Sequence, residues 1–220
     1  MAKLVRIHQF GGVEGLNVDE VDVGAPAPGE VTIAVEAIGI NRADLLLRQD
    51  LYIESPELPS RISYDAAGRV TAVGEGVTGF SVGDKVMTLP AFLQSEYGVC
   101  GEDVNVPTEA LWPWPDTLSA EEAACVGVQY TTVYIGLDEV GGAKRGDRVL
   151  LPAATGGVGL AAVEVARELG LEIIATTRTA AKADLIREYG AQHVVITNDE
   201  DLETRVCEIT GGEGVKTIFD

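Results

Sequence analysis

The run Ala153-Ala154-Thr155-Gly156-Gly157-Val158-Gly159 is the segment of this chain best equipped for chemistry. The apolar stretch Arg148-Val149-Leu150-Leu151-Pro152 precedes it, and Leu160 to Leu169 follow with helical spacing. A strand, a glycine turn and a helix in that order make the phosphate-binding start of a dinucleotide fold. Gly156, Gly157 and Gly159 permit a tight turn and a close approach of backbone to a pyrophosphate, with Thr155 and Val158 in the same cradle. The helix start adds free N–H groups and a positive dipole end.

The cofactor is read from the end of the next strand. A site for NAD places an acid about 20 residues past the glycines, on the ribose 2′-hydroxyl. Here that region is Ala175-Thr176-Thr177-Arg178-Thr179-Ala180-Ala181-Lys182, with no acid. Thr177, Arg178 and Lys182 suit a 2′-phosphate: the Arg fork binds it bidentately and Lys adds a point charge. NADPH is the expected cofactor.

The remaining titratable residues point away from other chemistries. Net charge is −19, from 16 basic and 35 acidic residues. That disfavours nucleic acid and anionic membrane as partners and reads as solubility, or as salt adaptation with five lysines against eleven arginines. Cys100, Cys125 and Cys207 are too scattered for a disulfide framework or zinc site, and Cys125 is expected buried in an apolar helix. His8 and His193 stand far apart in strand-like contexts, so no metal is expected. No stretch reads as a signal peptide or membrane span, and a cytoplasmic location is expected.

These residues must be positioned by two different kinds of structure. The first ~120 residues are strand-rich and glycine-punctuated, with period-two alternation at 31–37 and 68–74 and short runs at Lys85-Val86-Met87 and Tyr97-Gly98-Val99. They predict a mostly antiparallel barrel or sandwich. Ser119 and Glu122 form a capping box, and Ala120 to Leu137 read mainly helical. Strands are expected near 148–153, 172–177, 193–197 and 216–219, and helices near 158–169, 180–189 and 200–209, with Gly170 and Gly190 as C-terminal caps. The fold class is α/β, with domains at 1–119 and 120–220, the second a doubly wound parallel sheet. Only about four of some six strands of such a fold are accommodated. The fourth belongs beside the first, with a bare apolar edge. The expectation is a chain cut inside its second domain, against a small domain that pairs this edge with another chain.

Tyr64-Asp65-Ala66-Ala67-Gly68-Arg69-Val70, Val82-Gly83-Asp84-Lys85-Val86, Asn41-Arg42-Ala43-Asp44 and the glycine turn together resemble the medium-chain dehydrogenase/reductase superfamily, most closely its zinc-independent quinone oxidoreductase branch. The resemblance covers essentially the whole chain. It implies a GroES-like catalytic domain, then a Rossmann domain (partial here), with the active site between them. Zinc-dependent relatives place a cysteine ligand where this chain has Asn41 and Gly-His-Glu where it has Ser63-Tyr64-Asp65. Without a Lewis acid, reduction of an electrophilic acceptor is easier than oxidation of an alcohol.

Carried over by position, Asn41 lies by nicotinamide and substrate, or serves as a cap. Asp44 fixes that loop or caps the helix. Tyr52 matches a cleft tyrosine able to donate to a carbonyl, and Tyr64 lines the pocket or packs. Leu46 departs from an aromatic often found there. Thr132 matches a threonine near the nicotinamide, and Thr197 an adenine-side contact. The implied activity is an NADPH-dependent reductase of quinones or α,β-unsaturated carbonyls. The alternatives are an enoyl reductase of fatty-acid or polyketide type and a non-catalytic nucleotide-binding partner or sensor. Members of that branch are commonly homodimers, often through strands past the fourth, a route that is not assumed for this chain.

Overall fold

The computed structural model describes residues 1–220. They form two compact units, Met1–Val128 and Gln129–Asp220.

In the first unit, β1 (Ala2–Ile7) and β2 (Leu16–Val21) pair antiparallel. They are followed by β3 (Glu30–Gly39), α1 (Arg42–Arg48), β4 (Asp65–Val73), β5 (Lys85–Thr88), α2 (Gln94–Tyr97), β6 (Asp103–Pro107) and β7 (Leu111–Pro113). An antiparallel sheet forms in the order β6-β3-β4-β5-β7. β-Branched Val31, Ile33, Val70, Val86, Val104 and Val106 supply most of its core. Pairing of β3 with β4 slips at Thr32/Ile33 and again at Val35/Ala37. Such bulges bend a sheet and re-aim its ends. After the second slip Gly39 stands opposite Asp65, which brings the chain just past β3 to the first residue of β4.

The run Tyr97-Gly98-Val99 is not the expected strand. Gln94–Tyr97 form the helical turn α2, closed by a bond from the Gly98 N–H to the Gln94 carbonyl. Tertiary contacts override the β-propensity of this segment. Gln94 is fully buried, and the Tyr97 hydroxyl donates to Glu30 at 2.6 Å. Val99 and Cys100 then bond through their N–H groups to Ser63 and Ile62.

The stretch expected as mainly helical is interrupted. α3 (Ala120–Ala123), capped by Ser119 and Glu122, gives way to α4 (Gly127–Tyr134), which crosses from one unit to the next, and to a wide turn at Ile135–Val140. In the break, Cys125 bonds through its N–H only three residues back, to Glu122. The tighter turn leaves the Cys125 thiol exposed rather than buried.

The second unit alternates as expected: β8 (Arg148–Leu151), α5 (Gly157–Leu169), β9 (Glu172–Thr177), α6 (Ala183–Tyr189), β10 (His193–Ile196), α7 (Leu202–Thr210) and β11 (Thr217–Ile218). All four strands are parallel, in the order β10-β9-β8-β11. Val149, Leu151, Ile173 and Ala175 face Ala162, Val163 and Ala166 of α5 and Ile186 of α6. The intervening residues Leu150 and Ile174, with Val195 of β10, face Leu202, Val206 and Ile209 of α7. The sheet is therefore covered on both faces, as buried parallel strands require. Gly170 ends α5 in the left-handed region at φ 74°, and Gly190 follows α6.

Candidate functional site

The ends of β8, β9 and β10 open into a cleft of ≈ 660 Å³ in the second unit. Thr155, Gly156, Thr177, Arg178, Lys182 and Thr197 line it, joined by Ala153, Thr176, Thr179 and Asn198. No acid lines the cleft, and neither Arg178 nor Lys182 is engaged in an ion pair. In a chain of net charge −19 this is a local cationic spot. α5 starts at Gly156 without a side-chain cap, so its first N–H groups remain available for an anion.

The glycines divide their roles in a way the turn alone did not reveal. The left-handed residue is Ala153, at φ 48°, not a glycine. It is held by the hydroxyl of buried Thr176, which accepts from the Ala153 N–H at 3.0 Å. Gly156 is extended, and a Cβ there would meet nothing within 4 Å, so the space in front of it is free. A Cβ on Gly159 would lie 2.7 Å from the Ala154 Cα and 2.8 Å from the Ala153 carbonyl. Gly159 therefore lets the helix pack on its own turn. Gly157 faces the Gln129 side chain, and Val158 is half-exposed. Neither these three residues nor Thr132, exposed on α4, line the cleft.

Asn41, Tyr52 and Tyr64 lie in the first unit. Asn41 is the N-cap residue of α1, with extended backbone. Its N–H donates to Asp44 Oδ2 at 2.7 Å and its Nδ2 donates to Asp65 Oδ2 at 2.8 Å. Asp44 thus caps the helix and fixes the loop at once. Asp65 is 1% exposed, and its Oδ1 accepts from the Val128 N–H at 2.9 Å. Burial pushes the Asp65 carboxyl up to about 7, against the pull of its Asn41 and Val128 hydrogen bonds, and neighbouring Asp44 adds to the rise. Burial likewise lifts Asp44 to about 6. The rings of Tyr52 and Tyr64 stand edge to face at 6.4 Å, and Tyr64 contacts Phe92 at 5.5 Å. Burial first, then the Tyr52 hydroxyl, raises the Tyr64 pKa, so this phenol stays protonated. Leu46 is half-buried on α1.

Sequence reasoning missed Thr176, Asn198 and, above all, Asp65 as a buried hydrogen-bonding centre. Thr176 carried one signal, a hydroxyl directly after the apolar run Ile173-Ile174-Ala175. Asp65 carried none, because its partners are distant along the chain.

The positions at which zinc-dependent relatives hold their metal do not fit zinc here. Asn41 turns its amide nitrogen, a donor, toward Asp65, and Tyr64 is a neutral phenol. Neither offers the imidazole, thiolate or free carboxylate that zinc takes. His8 contacts Asp19 of β2, and His193 contacts Glu172 of β9.

Two family models match the chain: the alcohol dehydrogenase GroES-like domain over residues 27–116, and the zinc-binding dehydrogenase domain over residues 157–220. Quinone oxidoreductase 1 of Escherichia coli is 37% identical over 220 residues, all of this chain and 66% of that protein. The crystal structure of Escherichia coli quinone oxidoreductase complexed with NADPH superposes with a TM-score of 0.88 at 35% identity, covering 100% of this chain and 66% of that one. The CurK enoyl reductase superposes with a TM-score of 0.90 at 28% identity, covering 100% and 67%. The chain thus spans about two thirds of the length of these relatives. A GroES-like segment, a glycine turn opening a parallel α/β sheet and these likenesses place the chain in the medium-chain dehydrogenase/reductase superfamily, in its quinone oxidoreductase-like branch.

Proposed function

We propose that this chain belongs to a zinc-independent, NADPH-dependent oxidoreductase that reduces a quinone or an α,β-unsaturated carbonyl. The observation that carries the reading is the acid-free cleft with two unpaired cations at the ends of β8, β9 and β10. A nicotinamide dinucleotide fits that donor set, and the NADPH named for the Escherichia coli structure supports the phosphorylated form. Gly156 and the first N–H groups of α5 would hold the pyrophosphate, Arg178 and Lys182 the 2′-phosphate, and Thr177 and Thr197 the adenosine side. When bound, the cofactor supplies the hydride. Asn41 and Tyr52 of the GroES-like segment would orient the acceptor carbonyl, with Tyr64 packed behind Tyr52. In this reading residues 1–119 serve the acceptor and residues 120–220 the nucleotide, with Thr132 near the nicotinamide.

The proton that completes the reduction would come from solvent or from a tyrosine. A quinone or enone delocalises the incoming charge, so positioning and a few hydrogen-bond donors suffice. The likeness to CurK supports a second reading within the same chemistry, reduction of an enoyl thioester. Absorbance at 340 nm with NADPH and a panel of quinones, enones and enoyl thioesters tests both. Consumption with quinones or simple enones is expected. NADPH binding with no turnover of any acceptor would favour a nucleotide-binding sensor instead.

A further inference from the structure

Asp65 stands at the start of β4, opposite Gly39 of β3, with both carboxylate oxygens engaged. An ionised carboxylate only accepts hydrogen bonds. The Val128 N–H is fixed as main chain in α4, so Oδ1 is committed to it. The other oxygen accepts from Asn41 Nδ2, and this settles the direction of the Asn41 carboxamide: its NH2 faces Asp65, and its oxygen faces the Asp44 N–H in the capping box. The Asn41 main chain cannot swing to compensate, since its N–H is held by Asp44.

We infer that Asp65 is the positioning residue for Asn41, fixing which end of its carboxamide is presented to the acceptor. The inference rests on the proposed role of Asn41 at the reacting end. Asp65 is too buried to touch a substrate itself. The ionisable groups around it are Asp44 of α1 and the Cys125 thiol of the α3–α4 turn. Both become negative on ionisation, so neither stabilises the Asp65 anion; the two donated N–H groups do. Protonation of Asp65 would supply a donor where Asn41 now donates and would release its amide to turn round.

The substitution Asp65→Asn tests this because it keeps the shape and reverses the logic. The new carboxamide oxygen stays on the Val128 N–H, its NH2 faces Asn41, and Asn41 must rotate to accept. Two readouts are taken on the full chain. In ¹H–¹⁵N spectra the Asn41 side-chain signals, assigned by their loss in Asn41→Ala, should move in Asp65→Asn while the Val128 amide stays. In NADPH-linked turnover, Asp65→Asn and Asn41→Ala should each lower kcat about tenfold, the equivalent of one misplaced hydrogen bond, with KM for NADPH unchanged. The double variant should lose no more than either single one, since Asp65 acts through Asn41. Kcat of the wild type should also fall as pH drops below 7, and Asp65→Asn should abolish that limb. Unmoved Asn41 signals would overturn the inference, as would kinetic losses that add. If the wild type reduces no acceptor, the proposed function fails while the spectra still decide the role of Asp65.

Discussion

Gly156 and Gly159 stand three residues apart in one motif, and the structure gives them separable jobs. In Gly159→Ala the added carbon would lie 2.7–2.8 Å from backbone atoms of Ala153 and Ala154, against an optimum of about 3.5–4.0 Å between carbons. Those atoms belong to a turn held by the Thr176 hydroxyl and carbonyl, so they yield poorly. Overpacking of this kind costs about 1–3 kcal/mol. Alanine's better helix propensity returns up to ~1 kcal/mol. A net loss near ~1 kcal/mol follows, lowering Tm by about 2–4 °C in a chain of this size. Gly156→Ala meets no atom within 4 Å and sits at φ −81°, ψ 170°, open to any residue. Its stability should stay within about 0.5 kcal/mol of wild type. Its methyl group, however, enters the space that the proposed pyrophosphate would need in order to reach the α5 N–H groups. Loss of one charge-assisted hydrogen bond costs about 1.5–3 kcal/mol, so the Kd for NADPH should rise roughly 10- to 150-fold. Calorimetric melting and fluorescence titration of NADPH measure both. The reasoning is refuted if Gly156→Ala binds NADPH like wild type, or if Gly159→Ala melts at or above the wild-type temperature.

Arg178→Ala and Lys182→Ala should each weaken NADPH binding about 5- to 10-fold, near 1 kcal/mol for solvent-exposed partners, and leave NADH binding unchanged; equal losses for both nucleotides in titration would remove these residues from the 2′-phosphate. Ala153→Gly should raise Tm by a few degrees in a thermal melt, because relief of left-handed strain of about 1–2 kcal/mol exceeds glycine's entropic cost of about 0.5–1 kcal/mol. Burial holds Asp44 at about 6 and Asp65 at about 7, above the carboxyl value of 3.8, so between these values the folded chain carries more protons than the unfolded one. Stability measured by urea titration should therefore fall as pH rises from 4 to about 7 and then level off; Asp44→Asn should flatten the curve and be the more stable form at pH 8. The carboxyls of Glu200 and Asp201 are shifted downward from 4.5 and 3.8, so their contribution is complete well above those values and is lost as pH falls through and below them.

The second unit was legible because its information is local. Apolar runs of strand length, glycines after each helix and acid-free Thr177-Arg178 each speak for themselves. Every strand and helix from 148 onward falls within a few residues of its expected place, and β11 pairs β8 as the usual order requires. The first unit was legible only as antiparallel and β-rich. Which residues meet there depends on two register slips between β3 and β4, and no alternation pattern announces a slip. Asn41 could be singled out by resemblance, but its contact with Asp65, 24 positions away, is a product of that register. The same holds for Gln94, whose side-chain oxygen accepts from the Ser63 N–H at 2.7 Å. This contact helps turn a tyrosine-valine segment into a helical turn and a loop.

Places where local rules are broken mark where a structure is held by something other than local preference. Three non-glycine residues have positive φ: Asp50, Ser63 and Ala153. Asp50 is an exposed turn residue, a site at which aspartate tolerates this conformation. The other two have no such excuse. Ala153 lines the cationic cleft and is clamped by Thr176. Ser63 is buried, bonded through its N–H to Gln94 and through its hydroxyl to the Gly39 carbonyl, and it immediately precedes Tyr64 and Asp65. Asp65 adds a second kind of violation, a buried carboxyl without a cation among its hydrogen-bond partners. The uncapped start of α5 is a third. Each departure costs stability that ordinary residues would have kept. They gather at two places, the cleft at the ends of β8 to β10 and the Asn41–Asp65 junction. That grouping is independent of any family resemblance, and it falls on the same two parts of the chain that the proposed function uses.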